Sequence, residues 1–191
     1  MKKFLLFILL LFLILFDACT YAHSIQNEIA SNVVRLHIIA NSDSVDDQNL
    51  KLKVRDNILK YMQTMQLDSI DSAYTYISNS LEIFEKIAKE TLKANGCEND
   101  VKVEFKKCYF PKKEYDSLSF PSGEYTALRI IIGNGNGHNW WCVMFPALCF
   151  SDEICSSEAA DISLKEALSD ESFSIIANKS DFKFRIVDFF N

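Results

Sequence analysis

Asp43, Asp46 and Asp47, preceded by His37 and Asn41, form the densest polar cluster in this 191-residue chain. Carboxylates beside an imidazole can bind a cation or move a proton as general acid and base. An acidic helix start accounts for the carboxylates by itself, because the helix dipole favours negative charge there. Capping does not account for His37 or Asn41. Arg55 and Asp56 follow on the same predicted helix, where they can pair with this loop.

The second group is GNGNGHNWWC, residues 133–142. Gly133, Gly135 and Gly137 at alternate positions invite a phosphate-loop reading, since backbone amides can close on an anion where no Cβ intervenes. A strand that begins with two tryptophans follows them, not a helix N-terminus, and no lysine–serine pair is present. The three glycines are therefore read as the turn of a hairpin joining 124–132 to 139–145, for which Asn-Gly pairs supply positive φ. His138 and Cys142 suggest a thiol activated by an imidazole, but residues four apart on a strand are about 13 Å apart. Trp140 and Trp141 point to opposite faces of their strand. One can fill the core, which leaves the other, with Asn139, as a candidate contact.

The chain has six cysteines. Cys97 and Cys108 flank a strand that holds them roughly 20 Å or more apart, whereas a disulfide needs Cα atoms within about 7 Å. The favoured pair is Cys142 with Cys149, brought together by a turn at Pro146, and Cys108 competes for it across the sheet. Only three histidines are present, and they are dispersed. Neither a metal nor a cofactor is expected.

These residues need elements to position them. Residues 33–39, VVRLHII, alternate as a half-buried strand. Ser44 and Asp47 are spaced as a capping box ahead of a helix over about 46–65. The spacing of Tyr74, Ile77, Leu81, Phe84, Ala88 and Leu92 predicts a second amphipathic helix, ended at Asn95-Gly96. A period of two returns over 101–110, and strands follow at 125–132 and 140–145. A short helix near 163–169 and a strand over 182–190 complete the chain. The expected fold is a single α+β domain in which an antiparallel or mixed sheet of about five strands packs against two long amphipathic helices.

Ahead of that domain, Lys2 and Lys3 precede thirteen apolar residues, Phe4–Phe16. This is the pattern of a secretory signal peptide, with cleavage expected after Ala22 and the domain occupying 27–191. The apolar run is short for a membrane anchor. The chain's formal net charge of -6 becomes -7 on loss of residues 1–22, which argues against a nucleic-acid partner.

The strings VVRLHIIANSDSVDDQNLKLKVRDNIL, YFPKKEYDSLSFPSGEYTALRIIIGNGNGHNWWCVMFPALCF and FKFRIVDFF resemble the stage II sporulation protein R family of endospore-forming bacteria. The resemblance implies a protein made in the forespore and exported into the space between forespore and mother cell. There it would activate a membrane-embedded aspartic protease that processes the precursor of sigma factor E. It implies no catalytic residues, no nucleic-acid partner and contact with the membrane only through the export signal. The candidate partner-binding residues are His37, Asn41, Asp43, Arg55 and Asp56 on one side and Asn139, Trp140 and Trp141 on the other. The rival reading is an exported hydrolase or transferase using His37 with Asp43, or His138 with Cys142.

Overall fold

The computed structural model describes residues 2–65, 67–115, 118–146 and 157–177. In chain order these form α1 (Lys2–Ser31), β1 (Val34–Ile39), α2 (Val45–Gln63), α3 (Ile70–Asn79), α4 (Leu81–Ala94), β2 (Val101–Phe110), β3 (Lys113–Tyr115), β4 (Leu118–Phe120), β5 (Gly123–Ile132), β6 (Asn139–Phe145), α5 (Ser157–Ala167) and α6 (Asp170–Ala177). The main sheet is mixed, with strand order β2-β5-β1-β6, and β3 and β4 pair as a separate ribbon. β1 runs parallel to β5 and antiparallel to β6, while β2 runs antiparallel to β5. The strand expected over 182–190 lies outside the described residues.

Period-two patterning decides which side chain enters which core. Val34, Leu36 and Ile38 of β1 face Val54 and Ile58 of α2, Ile77 of α3 and Phe84 and Ala88 of α4. On the opposite face Phe110, Tyr125, Ala127 and Val143 pack with Phe120 of β4, Ile176 of α6, and Ile25 and Ile29 of α1. A fully buried Ile or Leu contributes roughly 2 kcal/mol, so both layers stabilise the sheet.

Several expectations hold, and three are corrected. β2 has the bounds that its alternation predicted. α4 ends as Asn95-Gly96 suggested: Gly96 takes φ +73° and the Cys97 N–H returns to the Leu92 carbonyl at 3.0 Å. The single helix expected through 74–92 is broken at Ser80, whose φ of -114° is not helical. Asn79 and Ser80 are weak helix formers, because their side chains compete for backbone groups. The short α6 is a further helix that the sequence reading lacked.

The third correction concerns the glycine segment. No β5–β6 hairpin forms, because β1 lies between these strands. Residues 133–138 arch over the C-terminal end of β1 instead. The Gly133 N–H reaches the Asp100 carbonyl at 2.7 Å, the Asn136 N–H the Asn41 carbonyl at 3.1 Å, and the Gly137 N–H the Ala40 carbonyl at 2.9 Å. The glycines still shape a turn, and two of them also permit close approach. A Cβ on Gly137 would lie 2.3 Å from the Ser42 carbonyl oxygen, and one on Gly133 would lie 2.3 Å from Asn41 Oδ1.

Candidate functional site

The candidate residues gather where β1 ends, β6 begins and α2 starts. The sheet divides them into three groups. At the end of the sheet, Asn41 bridges two loops: its Nδ2 donates to Asp47 Oδ2 at 2.9 Å, and its Oδ1 accepts from the Asn134 N–H at 3.0 Å. Ser42 Oγ donates to the same Asp47 oxygen at 2.5 Å. These donors hold the Asp47 carboxyl below its usual range, the Ser42 hydroxyl contributing most. Asp47 thus completes only half of the predicted capping box. Its N–H donates to Ser44 Oγ at 3.2 Å, but its side chain turns back to Asn41 and Ser42.

Asp43 ties the same end of β1 to His138. Its Oδ1 accepts from the His138 N–H at 2.6 Å and from His138 Nδ1 at 2.5 Å. These bonds, the side-chain bond first, keep the Asp43 carboxyl low, and the pair stands in solvent. Beneath it Lys51 is buried, with Nζ donating to Gln48 Oε1 at 2.6 Å and to the His138 carbonyl at 3.0 Å. Burial lowers the Lys51 pKa, against the opposing pull of Asp43.

On the α2 face, the Arg55 guanidinium lies 5.2 Å from the Trp140 ring centre and bonds Asp56 at 2.7 Å. Asp56 is exposed, and Trp140 and Arg55 are half-buried. Cation–π contacts of this kind hold a half-exposed tryptophan in one rotamer.

On the other face, His37 is buried and stacks on Trp141 with ring centres 3.7 Å apart. His37, Trp141, Arg129 and Glu104 stand in register across all four strands. Arg129 Nε donates to His37 Nδ1 at 3.4 Å, so the ring proton resides on Nε2, which donates to Asn139 Oδ1 at 2.8 Å. Burial, reinforced by the Arg129 charge, pushes the His37 pKa down to about 4, and the ring is neutral at physiological pH. Arg129 in turn bonds Glu104 at 2.8 Å. Lys102 and Lys106 also flank this carboxylate and hold its pKa at about 2.

His37 and Asp43 therefore do not meet. The first lies under a sheet face among aromatics, and the second is bonded to His138. Cys142 points into the α2–α4 core and is disulfide-bonded, so it offers no free thiol to His138. Its expected partner, Cys149, lies outside the described residues. Cys97 and Cys108 do not bridge each other, as their separation predicted, and Cys108 is free and so is not the competing disulfide partner. A cleft of about 710 Å³, lined by Met62, Met65 and Met144 among others, sits at the far end of β6 and includes none of these groups.

Sequence reasoning passed over Lys51, Arg129 and Arg35. Arg129 had left a signal, as the one charge in the apolar run ALRIII. Arg35 is fully buried among the rings of Phe110, Phe120, Tyr115 and Tyr125, 4.5 to 5.7 Å from their centres. Its Nε donates to the Cys142 carbonyl and its Nη2 to Tyr115 Oη, both at 2.9 Å. Its Nη1 is buried without a hydrogen-bond partner.

Fold and site define a small α+β domain behind an apolar N-terminal helix, with a polar and aromatic cluster at one end of its sheet. The sequence profile of the family described as Stage II sporulation protein R (spore_II_R) matches residues 30–155. A protein named "Stage II sporulation protein R" from Bacillus subtilis (strain 168) is 40% identical over 163 residues, covering 80% of this chain and 73% of that protein. The chain belongs to the stage II sporulation protein R family. No solved structure matches it.

Proposed function

We propose that this protein is an exported intercellular signal of sporulation. It leaves the forespore, enters the space between forespore and mother cell, and activates the membrane-embedded aspartic protease that processes the sigma E precursor. It acts as a ligand and not as a catalyst. The reading rests on family membership over residues 30–155, a span that contains both loops of the candidate cluster. The apolar N-terminal helix is compatible with export.

A ligand shifts an equilibrium only by binding its two states differently, which favours an extended surface over a single reactive group. Asn41, Asp43, His138, Trp140 with Arg55 and Asp56, and Asn139 compose such a surface around one end of the sheet. His37 and Trp141 support it from the other face. Family membership carries the proposal, and the test is direct. The protease and the precursor are expressed in a non-sporulating host, with this chain supplied complete or without residues 2–22. Precursor processing that requires both the chain and its leader is the expected result. Absence of processing, with both partners present and inserted, would overturn the proposal.

A further inference from the structure

We infer that the outer edge of β2 is a second docking site, which takes an acidic, extended segment of a partner protein as an added antiparallel strand. β2 stands at one end of the strand order β2-β5-β1-β6, and β6, which carries Asn139, Trp140 and Trp141, stands at the other. The site is on the opposite edge from those residues and does not rest on the activator reading. β2 runs for ten residues, Val101–Phe110, with no proline and no glycine, and its register with β5 is unbroken. Natural sheets usually shorten, bulge or cover such an edge.

The bond from the Gly133 N–H to the Asp100 carbonyl fixes the phase of the β2–β5 ladder. Hydrogen-bonded and non-hydrogen-bonded positions alternate in an antiparallel pair, so Lys102, Glu104, Lys106, Cys108 and Phe110 direct both backbone groups at β5. The N–H and C=O groups of Val101, Val103, Phe105, Lys107 and Tyr109 point away from it, and among the described residues no further strand pairs with them. Open positions repeated along one regular strand are what β-augmentation requires. Main-chain bonds then supply the affinity, and alternate side chains supply the choice of partner.

Lys102, Lys106 and Lys107 give the strand three cations against one carboxylate, Glu104, in a chain whose net charge is -6. Glu104 is shared by Lys102 at 2.7 Å, Lys106 at 2.9 Å and Arg129 at 2.8 Å, and Lys107 makes no ion pair among the described residues. Positive charge is therefore in excess along this edge. On the face that carries α4, Val103 and Phe105 are half-buried against the first core and Tyr109 is 53% exposed, which offers apolar contact to every second residue of an added strand. The complementary segment has carboxylates opposite Lys102, Lys106 and Lys107 and apolar residues opposite Val103 and Phe105. A second copy of β2 is the wrong occupant, because two copies set six lysines against two glutamates and like charge opposes edge-to-edge pairing.

The test uses the chain as exported from a bacterial host and the peptide Thr-Glu-Glu-Val-Thr-Val-Glu-Val, laid antiparallel from opposite Cys108 to opposite Val101. In the free chain, amide hydrogen exchange should be slow at Glu104 and Lys106, which bond β5, and fast at Val103, Phe105 and Lys107. The peptide should slow those last three amides about tenfold or more. N-methylation of the peptide opposite Val103 and Phe105 should weaken binding about tenfold or more, whereas methylation opposite Lys102 and Glu104, on nitrogens that face away, should leave affinity unchanged. Lys106→Glu combined with Lys107→Glu should weaken binding of the acidic peptide about tenfold and strengthen that of a peptide with lysine in place of the two facing glutamates. Slow exchange at Val103, Phe105 and Lys107 before any peptide is added would mean that the edge is already covered, and would overturn the inference. Equal binding by the two methylated peptides would reduce the edge to a charged surface, and self-association that the peptide does not displace would assign it to a second copy; either result also overturns it. No readout depends on precursor processing.

Discussion

Asp43 Oδ1 accepts two hydrogen bonds from one residue, His138, through its backbone N–H at 2.6 Å and its ring Nδ1 at 2.5 Å. This joint fastens the β1–α2 loop to the glycine arch and turns the His138 ring outward. Its exposure makes it a poor contributor to stability and a good contact for a partner. Asp43→Asn and His138→Ala should leave the thermal midpoint almost unchanged and raise the dose needed for half-maximal precursor processing about tenfold, with full processing restored by excess protein. Loss of all activity at every dose would instead favour chemistry at this pair.

The two types of glycine constraint separate by mutation. Gly137→Ala drives a Cβ to 2.3 Å from a backbone carbonyl that cannot step aside, so the arch must lift from Ser42. Gly96 has φ +73° and open space around its missing Cβ. Gly137→Ala should therefore cost about 2 kcal/mol or more and weaken activation, whereas Gly96→Ala should cost about 1 kcal/mol and leave activation intact. Urea midpoints combined with the processing assay check both.

The sequence was informative where local pattern governs and silent where long-range pairing does. Unbroken alternation made β2 legible to the residue, and Ser44 marked the start of α2. The hairpin expectation failed because nothing within 123–145 records that β1 inserts between the two strands it seemed to join. The same limit applies at the site. Asn41 stood out because capping could not explain it, yet its partners Asp47 and Asn134 come from different loops. Grouping His37 with Asp43 followed chain proximity, while the pleat sends His37 under a sheet face and Asp43 into solvent. Lys51 read as an ordinary helix lysine, because its burial depends on the arch lying above it.

The buried imidazole makes stability depend on pH. His37 titrates at about 4 in the folded chain against an ordinary 6.5, so the unfolded chain takes up a proton first as pH falls. Its contribution is complete above pH 6.5 and is lost as pH falls toward 4. Between pH 6.5 and 5 the loss from this residue is about 2 kcal/mol. The depressed carboxylates, Glu104 at about 2 among them, act at lower pH. His37→Gln should flatten the urea midpoint between pH 6.5 and 5, even if it lowers stability at pH 7.5. An unchanged slope would mean that the ring is not held neutral.

Arg35 poses a different problem, a buried cation whose hydrogen-bond partners are a carbonyl and a phenol, not a carboxylate. Its stabilisation comes from ring faces on several sides and from two hydrogen bonds, set against the cost of burying its charge and leaving Nη1 unpaired. Lysine would keep that charge but lose the flat stacking surface and the Nε bond to the Cys142 carbonyl. Methionine would remove the charge and fill much of the cage. Arg35→Lys should thus be the more damaging change, by about 3 kcal/mol, and Arg35→Met the milder, although Tyr115 loses a donor in both. Because Tyr115 and Phe120 tie the β3–β4 ribbon to the sheet through this cage, Arg35→Lys should also increase hydrogen exchange in Lys113–Tyr115 and Leu118–Phe120 more than Arg35→Met does. Guanidinium melts and exchange measured on the two variants settle the order: a milder Arg35→Lys would mean that the charge, and not the stacking, holds the ribbon in place.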